Sequence, residues 1–306
     1  MRAMAAVLTT LILIGVAGPL RAEPAVATPA SPAAAAAAKV PAFNVRVIGT
    51  GPPLILIPGL SCDGSVWDAT VEHLKGHYEC HVLSLAGFAG SAPIGAPYIS
   101  QVHNQIVEYV QAKKLVKPVV IGHSLGGTMA FALASGHPDM FGPIIAVDGV
   151  PFFSALLNPA ATAKTSEPIA KSMQSMMAMA DKKTFEASMR AQIGSMITNP
   201  EEVKRFGEIS AKSDPATVGQ AIYEISTIDL RQKIAAIKSP VLLIAALGDA
   251  PDDKMRERFL ASYRAQLTAL PTAKVVAAND CRHFIMLDNP TWFYTTVDEF
   301  LGEKSK

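Results

Sequence analysis

The sequence predicts an α/β protein with a doubly wound, mainly parallel β-sheet. Short runs of apolar and β-branched residues alternate along the chain with longer segments of helical spacing. Runs such as Leu54–Ile57 are apolar throughout, which is typical of strands covered by helices on both faces. Half of the 306 residues are hydrophobic, so the chain is long enough to bury a sizeable core.

The order of the predicted elements supports this fold class. In the first predicted strand, Phe43, Val45 and Val47 alternate with polar residues, as in a strand with one exposed face. Helical spacing is clearest in residues 66–74, 100–113 and 128–134, and Pro290 suits the first turn of a closing helix. In chain order, the predicted strands cover residues 43–47, 54–57, 78–85, 119–121, 144–148, 240–247 and 274–277.

The N-terminal segment is set apart by its composition. Residues 1–22 combine a positively charged start, a short apolar run and small residues, which predicts a secretory signal peptide cleaved after Ala22 or Ala27. An uncleaved membrane anchor is the alternative, but the run is short and contains Gly and Pro. Residues 23–39 are mainly Ala and Pro and predict a linker. We therefore expect a periplasmic or secreted protein with no stable membrane span after signal removal.

Between residues 151 and 237 the strand–helix alternation stops, which predicts a helical cap inserted into a core of residues 40–150 and 238–306. Along one predicted helix face lie Ile169, Met173, Met176 and Met177, at spacings i, i+4, i+7 and i+8. Such a stripe is usually buried in a core, but flexible thioethers also suit the apolar wall of a binding site. Both interpretations stay open, and the three methionines are candidate substrate-binding residues.

Composition also narrows the expected partners and cofactors. The formal net charge is +1 and no basic block occurs, which argues against nucleic acid as a partner. No metal-ligand cluster or phosphate-binding Gly-rich loop is evident in the sequence, so no metal or organic cofactor is expected. Cys62, Cys80 and Cys281 allow one disulfide, with Cys62–Cys281 the favoured pair, or three unpaired buried thiols. The sequence does not indicate the oligomeric state.

A Gly-x-Ser-x-Gly pentapeptide, residues 122–126, is the central motif of the sequence. An apolar strand precedes it and a helical pattern follows at once, which is the context of a nucleophile elbow. In that context Ser124 adopts a strained backbone conformation at the carboxyl end of the sheet. Side chains at Gly122 or Gly126 would collide with neighbouring backbone, and the amide of Leu125 would lie beside the serine.

A serine nucleophile needs a base, and chain order identifies one. In this arrangement the order is Ser, then Asp or Glu, then His. His137 lies too close after the elbow for a strand to deliver an acid between them, which leaves His283, in a loop after the last strand. Five other histidines precede Ser124 and are excluded: His73, His77, His81, His103 and His123.

Two aspartates are candidates for the acid that orients His283, and each follows a predicted strand. Asp249 follows the strand 240–247, and Asp148 follows residues 144–147. Asp252 and Asp253 lie further along their loop, where solvation or helix capping explains them. We favour Asp249 and keep Asp148 in reserve.

From about residue 43 to residue 301, without the cap, the chain resembles the α/β-hydrolase superfamily in its serine esterase-like branch. The matching segments are residues 49–59, the elbow, residues 229–231 before the strand at 240–244, and His283–Phe284 with the final helix. By position, Ser124 resembles the nucleophile, Asp249 the acid and His283 the base. The resemblance further implies an oxyanion hole formed by the amides of Leu60 and Leu125.

We therefore expect a serine hydrolase that cleaves a small to medium, mostly apolar carboxylic ester through an acyl-enzyme. A lactonase, thioesterase, amidase or perhydrolase would use the same triad. Dehalogenases and epoxide hydrolases of the superfamily use Asp as the nucleophile, so Ser124 argues against both. The rival from another class is a non-catalytic binding protein on the same fold.

Overall fold

The computed structural model describes residues 40–302, in which seven β-strands form one sheet. The predicted signal peptide (1–22) and linker (23–39) lie outside the described residues. In chain order the strands are β1 (Phe43–Ile48), β2 (Pro53–Ile57), β3 (Glu79–Leu85), β4 (Val119–His123), β5 (Ile144–Val147), β6 (Val241–Ala246) and β7 (Lys274–Ala278).

The strand order across the sheet is β1-β3-β2-β4-β5-β6-β7. β1 pairs antiparallel with β3, and the other pairs are parallel, which confirms the predicted mainly parallel sheet. β4 lies between β2 and β5, so the carboxyl ends of these three strands are next to one another. Any residue that directly follows one of them therefore lies close to the residues that follow the other two.

Helices cover both faces of the sheet. The core helices are α1 (Asp68–Leu74), α2 (Tyr98–Ala112), α3 (Leu125–Gly136), α9 (Asp253–Gln266), α10 (Ile285–Asp288) and α11 (Pro290–Leu301). Alternate residues of β2 separate into two cores, as the two-residue period of a strand requires. Ile55 and Ile57 pack with α2, α3 and α9, whereas Leu54 and Leu56 pack with α1 and α11. This arrangement is the predicted doubly wound architecture.

Five further α-helices follow β5 and precede β6 along the chain. They are α4 (Phe153–Leu157), α5 (Ala163–Met179), α6 (Lys182–Met196), α7 (Pro200–Ser210) and α8 (Pro215–Thr227). α5 packs along α8, and α6 packs against α7. At Gly219 the helices α5 and α8 approach so closely that a Cβ atom there would lie 2.7 Å from the backbone oxygen of Gln174.

The buried side chain of Glu224 ties this helical insert to the core. Its two carboxylate oxygens accept hydrogen bonds from the backbone amides of Tyr98 (2.7 Å) and Ile99 (2.6 Å), the first two residues of α2. Amides in the first turn of a helix have no partner within that helix. A side chain from α8 thus caps α2, and the negative charge lies at the favourable end of its helix dipole.

The three cysteines are free and buried, so the favoured Cys62–Cys281 disulfide is not formed in this structure. Burial raises the pKa of both Cys80 and Cys281 to about 11 and the pKa of Cys62 further still. Thiols in this state are protonated at neutral pH and act as small apolar side chains. Among residues 40–302, none of the helices combines the length and apolar character needed to cross a bilayer.

Candidate active site

Ser124 lies at a sharp bend between β4 and α3. Its backbone angles are φ 54° and ψ −115°, a conformation that costs a non-glycine residue free energy and is typical of a nucleophile elbow. A Cβ atom at Gly122 would lie 2.0 Å from the backbone oxygen of Gly126. At Gly126 the corresponding distance to the backbone oxygen of Ile57 is 2.3 Å. The predicted need for glycine at both positions is confirmed.

The structure brings Ser124 and His283 together in one cavity with a volume of about 60 Å³. Asp148, Leu60 and Leu125 line the same cavity. Ser124 follows β4 and His283 follows β7, so residues that are distant in sequence meet at the carboxyl edge of the sheet. This edge is where parallel α/β sheets usually bind their ligands.

The acid that contacts His283 is Asp148, and our preference for Asp249 was wrong. Oδ2 of Asp148 lies 2.5 Å from Nδ1 of His283, and both residues are buried. Asp249 instead forms an ion pair with Arg282, with 3.3 Å between Oδ1 and Nε. The reason is sheet order: β5 is paired with β4, so a residue that directly follows β5 lies one strand nearer to Ser124 than a residue after β6.

Two further donors fix the Asp148 carboxylate. Oδ1 accepts a hydrogen bond from the hydroxyl of Tyr263 (2.5 Å) and one from the backbone amide of Ala246 (3.0 Å). Burial, and then the charge of Asp148, raises the pKa of Tyr263 well above its ordinary value, so the hydroxyl keeps its proton. Tyr263 was not among the predicted site residues. Its signal was an aromatic hydroxyl on the buried face of α9, where such a group needs a polar partner.

His123, which chain order excluded as the base, supports the loop that carries His283. Its Nε2 lies 3.0 Å from the backbone oxygen of His283, and its ring packs against the rings of His283 and Phe284. A carbonyl oxygen can only accept, so Nε2 carries the proton. Burial and the neighbouring His283 lower the pKa of His123 well below its ordinary value, which keeps the ring neutral.

The loop proposed for the oxyanion hole lies directly beside the serine. A Cβ atom at Gly59 would be 3.2 Å from the Cβ atom of Ser124 and 2.7 Å from Nδ1 of His123. Leu60 therefore follows a residue that is in contact with the elbow, and Leu125 begins the helix after it. The positions of Leu60 and Leu125 suit two backbone donors for an oxyanion at this site.

The methionines of α5 do not line the cavity that contains Ser124, so their assignment as substrate-binding residues there is corrected; Met173 lines a separate cavity of the insert. Met173 and Met177 are buried in the core that contains α8, Met176 is partly buried, and Ile169 of the same stripe is 58% exposed. The periodicity gave a buried face for Met173 and Met177, but that face packs against α8. The insert residues that do line the cavity are Phe153, Gln192, Ile193, Met196, Ser210, Ile222 and Ile225.

Within residues 40–302, the His, Cys, Asp and Glu side chains form no group of three or more that could hold a metal ion. The polar side chains at the cavity can instead perform proton transfer and nucleophilic attack. Asp148 holds the Nδ1 side of the His283 imidazole, which directs the basicity of the ring to Nε2. A serine, a histidine and a buried aspartate of this kind on a doubly wound sheet define the class as a serine hydrolase site.

Comparison with known proteins agrees with this class. Residues 52–290 match the alpha/beta hydrolase fold family, and the chain belongs to that family. Two similar proteins are named pimeloyl-[acyl-carrier protein] methyl ester esterase. The one from Vibrio atlanticus is 26% identical over 200 residues, which cover 64% of this chain and 76% of the relative. The one from Aeromonas hydrophila is 24% identical over 263 residues, which cover 85% and 99%.

Solved structures share the fold at low sequence identity. An enol-lactonase from Burkholderia xenovorans has a TM-score of 0.67 and 20% identity, and the match covers 85% of this chain and 96% of that one. A thermophilic esterase from Thermogutta terrifontis has a TM-score of 0.67 and 19% identity, with coverage of 85% and 93%. The chain is thus an α/β-hydrolase enzyme, and its relatives include proteins named for ester and lactone chemistry.

Proposed function

We propose that the protein is a serine hydrolase that cleaves a small to medium, mostly apolar carboxylic ester through an acyl-enzyme. The observation that carries the proposal is the single cavity in which Ser124, His283 and Asp148 meet, with Asp148 bonded to His283. In this proposal Ser124 is the nucleophile, His283 the general base and Asp148 the orienting acid. The amides of Leu60 and Leu125 form the oxyanion hole.

The reaction proceeds in two balanced halves. Nε2 of His283 takes the proton of the Ser124 hydroxyl as Oγ attacks the ester carbonyl carbon, and the two backbone amides hold the oxyanion. The intermediate collapses, the bond to the alcohol breaks, and His283 returns the proton to the departing alcohol oxygen. Water then attacks the acyl-enzyme by the same route and releases the acid and the free serine.

The form of the cavity supports the substrate class. The insert contributes aliphatic and aromatic side chains, including Ile193, Met196, Ile222 and Ile225, and the volume is only about 60 Å³. The methyl ester named for the relatives is consistent with a small alcohol group at this site. We extend the ester bond to this chain and not the carrier protein, which is named only for the relatives.

A covalent probe tests the enzyme assignment. We expect a fluorophosphonate to label the purified protein on one serine, and Ser124→Ala to abolish both labelling and ester turnover. Ser61→Ala is the matched control. Ser61 is also a buried serine, in the loop that follows β2, and its replacement should leave labelling intact. Failure of the wild-type protein to react with the probe would favour the binding-protein alternative.

A substrate panel tests the reaction class. Esters, thioesters, lactones, amides and a perhydrolysis assay should be compared at matched acyl size, because all five reactions use the same triad. We expect the highest kcat/KM for short-chain esters. A higher kcat/KM for lactones or thioesters than for every ester would replace the proposed substrate class.

We further propose that the protein is exported and acts in the periplasm or outside the cell. The support is the composition of residues 1–22, where a positive start precedes a short apolar run. Mass spectrometry of the protein from cell fractions should find a chain that begins near residue 23 or 28. A cytoplasmic protein that retains residue 1 would contradict the proposal.

A further inference from the structure

A second cavity lies beside the active site, within the helical insert. Its volume is about 200 Å³. Its wall comes from α4, α5 and the end of α8, and it includes Leu157, Ala161, Ala170 and Met173. The wall also includes polar residues such as Thr165 and Ser226, but most of its surface is apolar, so the cavity suits a hydrocarbon chain.

Phe153 lines both cavities. It is the first residue of α4 and is partly buried. The hydroxyl of Ser154, the next residue, donates a hydrogen bond of 2.8 Å to the backbone oxygen of Ser226 on α8, which fixes the start of α4. Phe153 therefore lies at the place where the two cavities are adjacent.

α8 runs along both cavities. Ile222 and Ile225 line the cavity of Ser124, and Ser226 lines the second cavity. The second cavity extends to the surface, because the exposed residues Asn158 and Ile169 are part of its wall. An ester chain longer than the first cavity accommodates would therefore meet Phe153 before it could enter the second cavity.

We propose that Phe153 is a specificity-determining residue that limits the length of the ester's hydrocarbon chain by separating the two cavities. The inference rests on the proposed ester hydrolase function. Replacing Phe153 by a small side chain joins the cavities, so additional methylenes become buried instead of being rejected. Burial of one methylene changes kcat/KM by about fourfold when the contact persists in the transition state.

The test is the chain-length profile of kcat/KM for wild type and Phe153→Ala. One series varies the linear acyl chain from acetyl to dodecanoyl as p-nitrophenyl esters, and a second varies the linear alcohol of acetate esters. We expect the wild-type optimum at a short chain. In Phe153→Ala, we expect kcat/KM, normalised to its value for the acetyl ester, to rise about fourfold per methylene beyond that optimum in one of the two series.

Two more variants make the experiment specific. Ser166→Phe places a ring in the second cavity, so the double variant Phe153→Ala/Ser166→Phe should return to the wild-type optimum. Phe300→Ala removes the same ring from α11, where it packs on the opposite face of the sheet, and it should keep the wild-type profile. Fluorophosphonate titration of Ser124 normalises every rate to the fraction of correctly folded sites.

The outcomes are distinct for the two proposals. An unchanged optimum in both series for Phe153→Ala, or an equal shift in Phe300→Ala, would overturn the role of Phe153. In either case the wild-type enzyme would still hydrolyse acetyl esters. If wild type neither turns over esters nor reacts with the fluorophosphonate, the proposed function itself fails.

Discussion

Asp148→Asn is the most direct test of the triad because the surroundings of the carboxylate fix how an amide would sit. Oδ1 of Asp148 accepts from the backbone amide of Ala246, which can only donate, and from the hydroxyl of Tyr263. The asparagine oxygen must therefore occupy the Oδ1 position. Its NH₂ group then points at Nδ1 of His283, where a carboxylate oxygen now lies at 2.5 Å.

Asp148→Asn therefore stabilises the wrong tautomer of the His283 imidazole. A donor opposite Nδ1 requires a lone pair on Nδ1, so the neutral ring carries its proton on Nε2. His283 then cannot take the serine proton. In a well-characterised serine protease the equivalent change lowers kcat by about 10⁴-fold. We expect a loss of about 10³- to 10⁴-fold here, which corresponds to about 4 to 5.5 kcal/mol of transition-state stabilisation.

Asp249→Asn is the matched control. It removes the ion pair with Arg282, whose side chain is 39% exposed, and partly exposed pairs of this kind contribute about 0–1 kcal/mol. The assay is kcat/KM for a short p-nitrophenyl ester, with the folded fraction of each variant measured by circular dichroism. A large loss in Asp249→Asn together with near wild-type activity in Asp148→Asn would refute this assignment of the acid.

Three further predictions concern stability and are tested by urea unfolding. Gly219→Ala should lower the free energy of unfolding by about 1–3 kcal/mol, because its Cβ would lie 2.7 Å from the backbone oxygen of Gln174. Gly76→Ala is the control and should change the free energy of unfolding little, because a Cβ atom there would have no neighbouring atom within 4 Å. Equal losses of stability in the two variants would contradict close packing of α5 on α8. Glu224→Gln places an NH₂ group against a backbone donor of Tyr98 or Ile99 and should cost about 1–3 kcal/mol, whereas Glu167→Gln on the exposed face of α5 should not. Burial lowers the pKa of His81 and His123, so below pH 6.5 the unfolded chain binds protons that the folded chain does not, and stability falls as pH falls. His81→Gln should flatten that slope between pH 7 and pH 5.5, and an unchanged slope would exclude His81 as a contributor.

Local sequence pattern was sufficient to predict the strands of the sheet, because a strand covered on both faces must be apolar along its whole length. Leu54–Ile57 and Val241–Ala246 are such strands, and the structure has both. His283 was found for a related reason. Chain order limits which histidine can follow an acid and a serine in this fold, and the structure places that histidine in the cavity with Ser124.

Local sequence pattern does not predict a residue's contacts where these depend on which helices and strands are neighbours in the fold. Helical spacing shows that Met173 and Met177 share a face, but it does not show that the face meets α8 and not the cavity. The choice between Asp148 and Asp249 likewise depends on which strands are neighbours. Both follow apolar strands, and only the strand order across the sheet distinguishes them.

Because Asp148 and not Asp249 contacts His283, the turn that follows β6 has a different role from the one expected. In that turn the backbone amides of Leu247 and Gly248 donate to the backbone oxygens of Ala278 (2.9 Å) and Cys281 (2.8 Å), which start the loop carrying His283. Asp249 adds its ion pair to Arg282, the residue before the base. This turn supports the His283 loop through its backbone, whereas the carboxylate that contacts the imidazole follows β5. His283 is thus held from three directions: by Asp148 at its ring, by His123 at its carbonyl, and by the β6 turn along its loop.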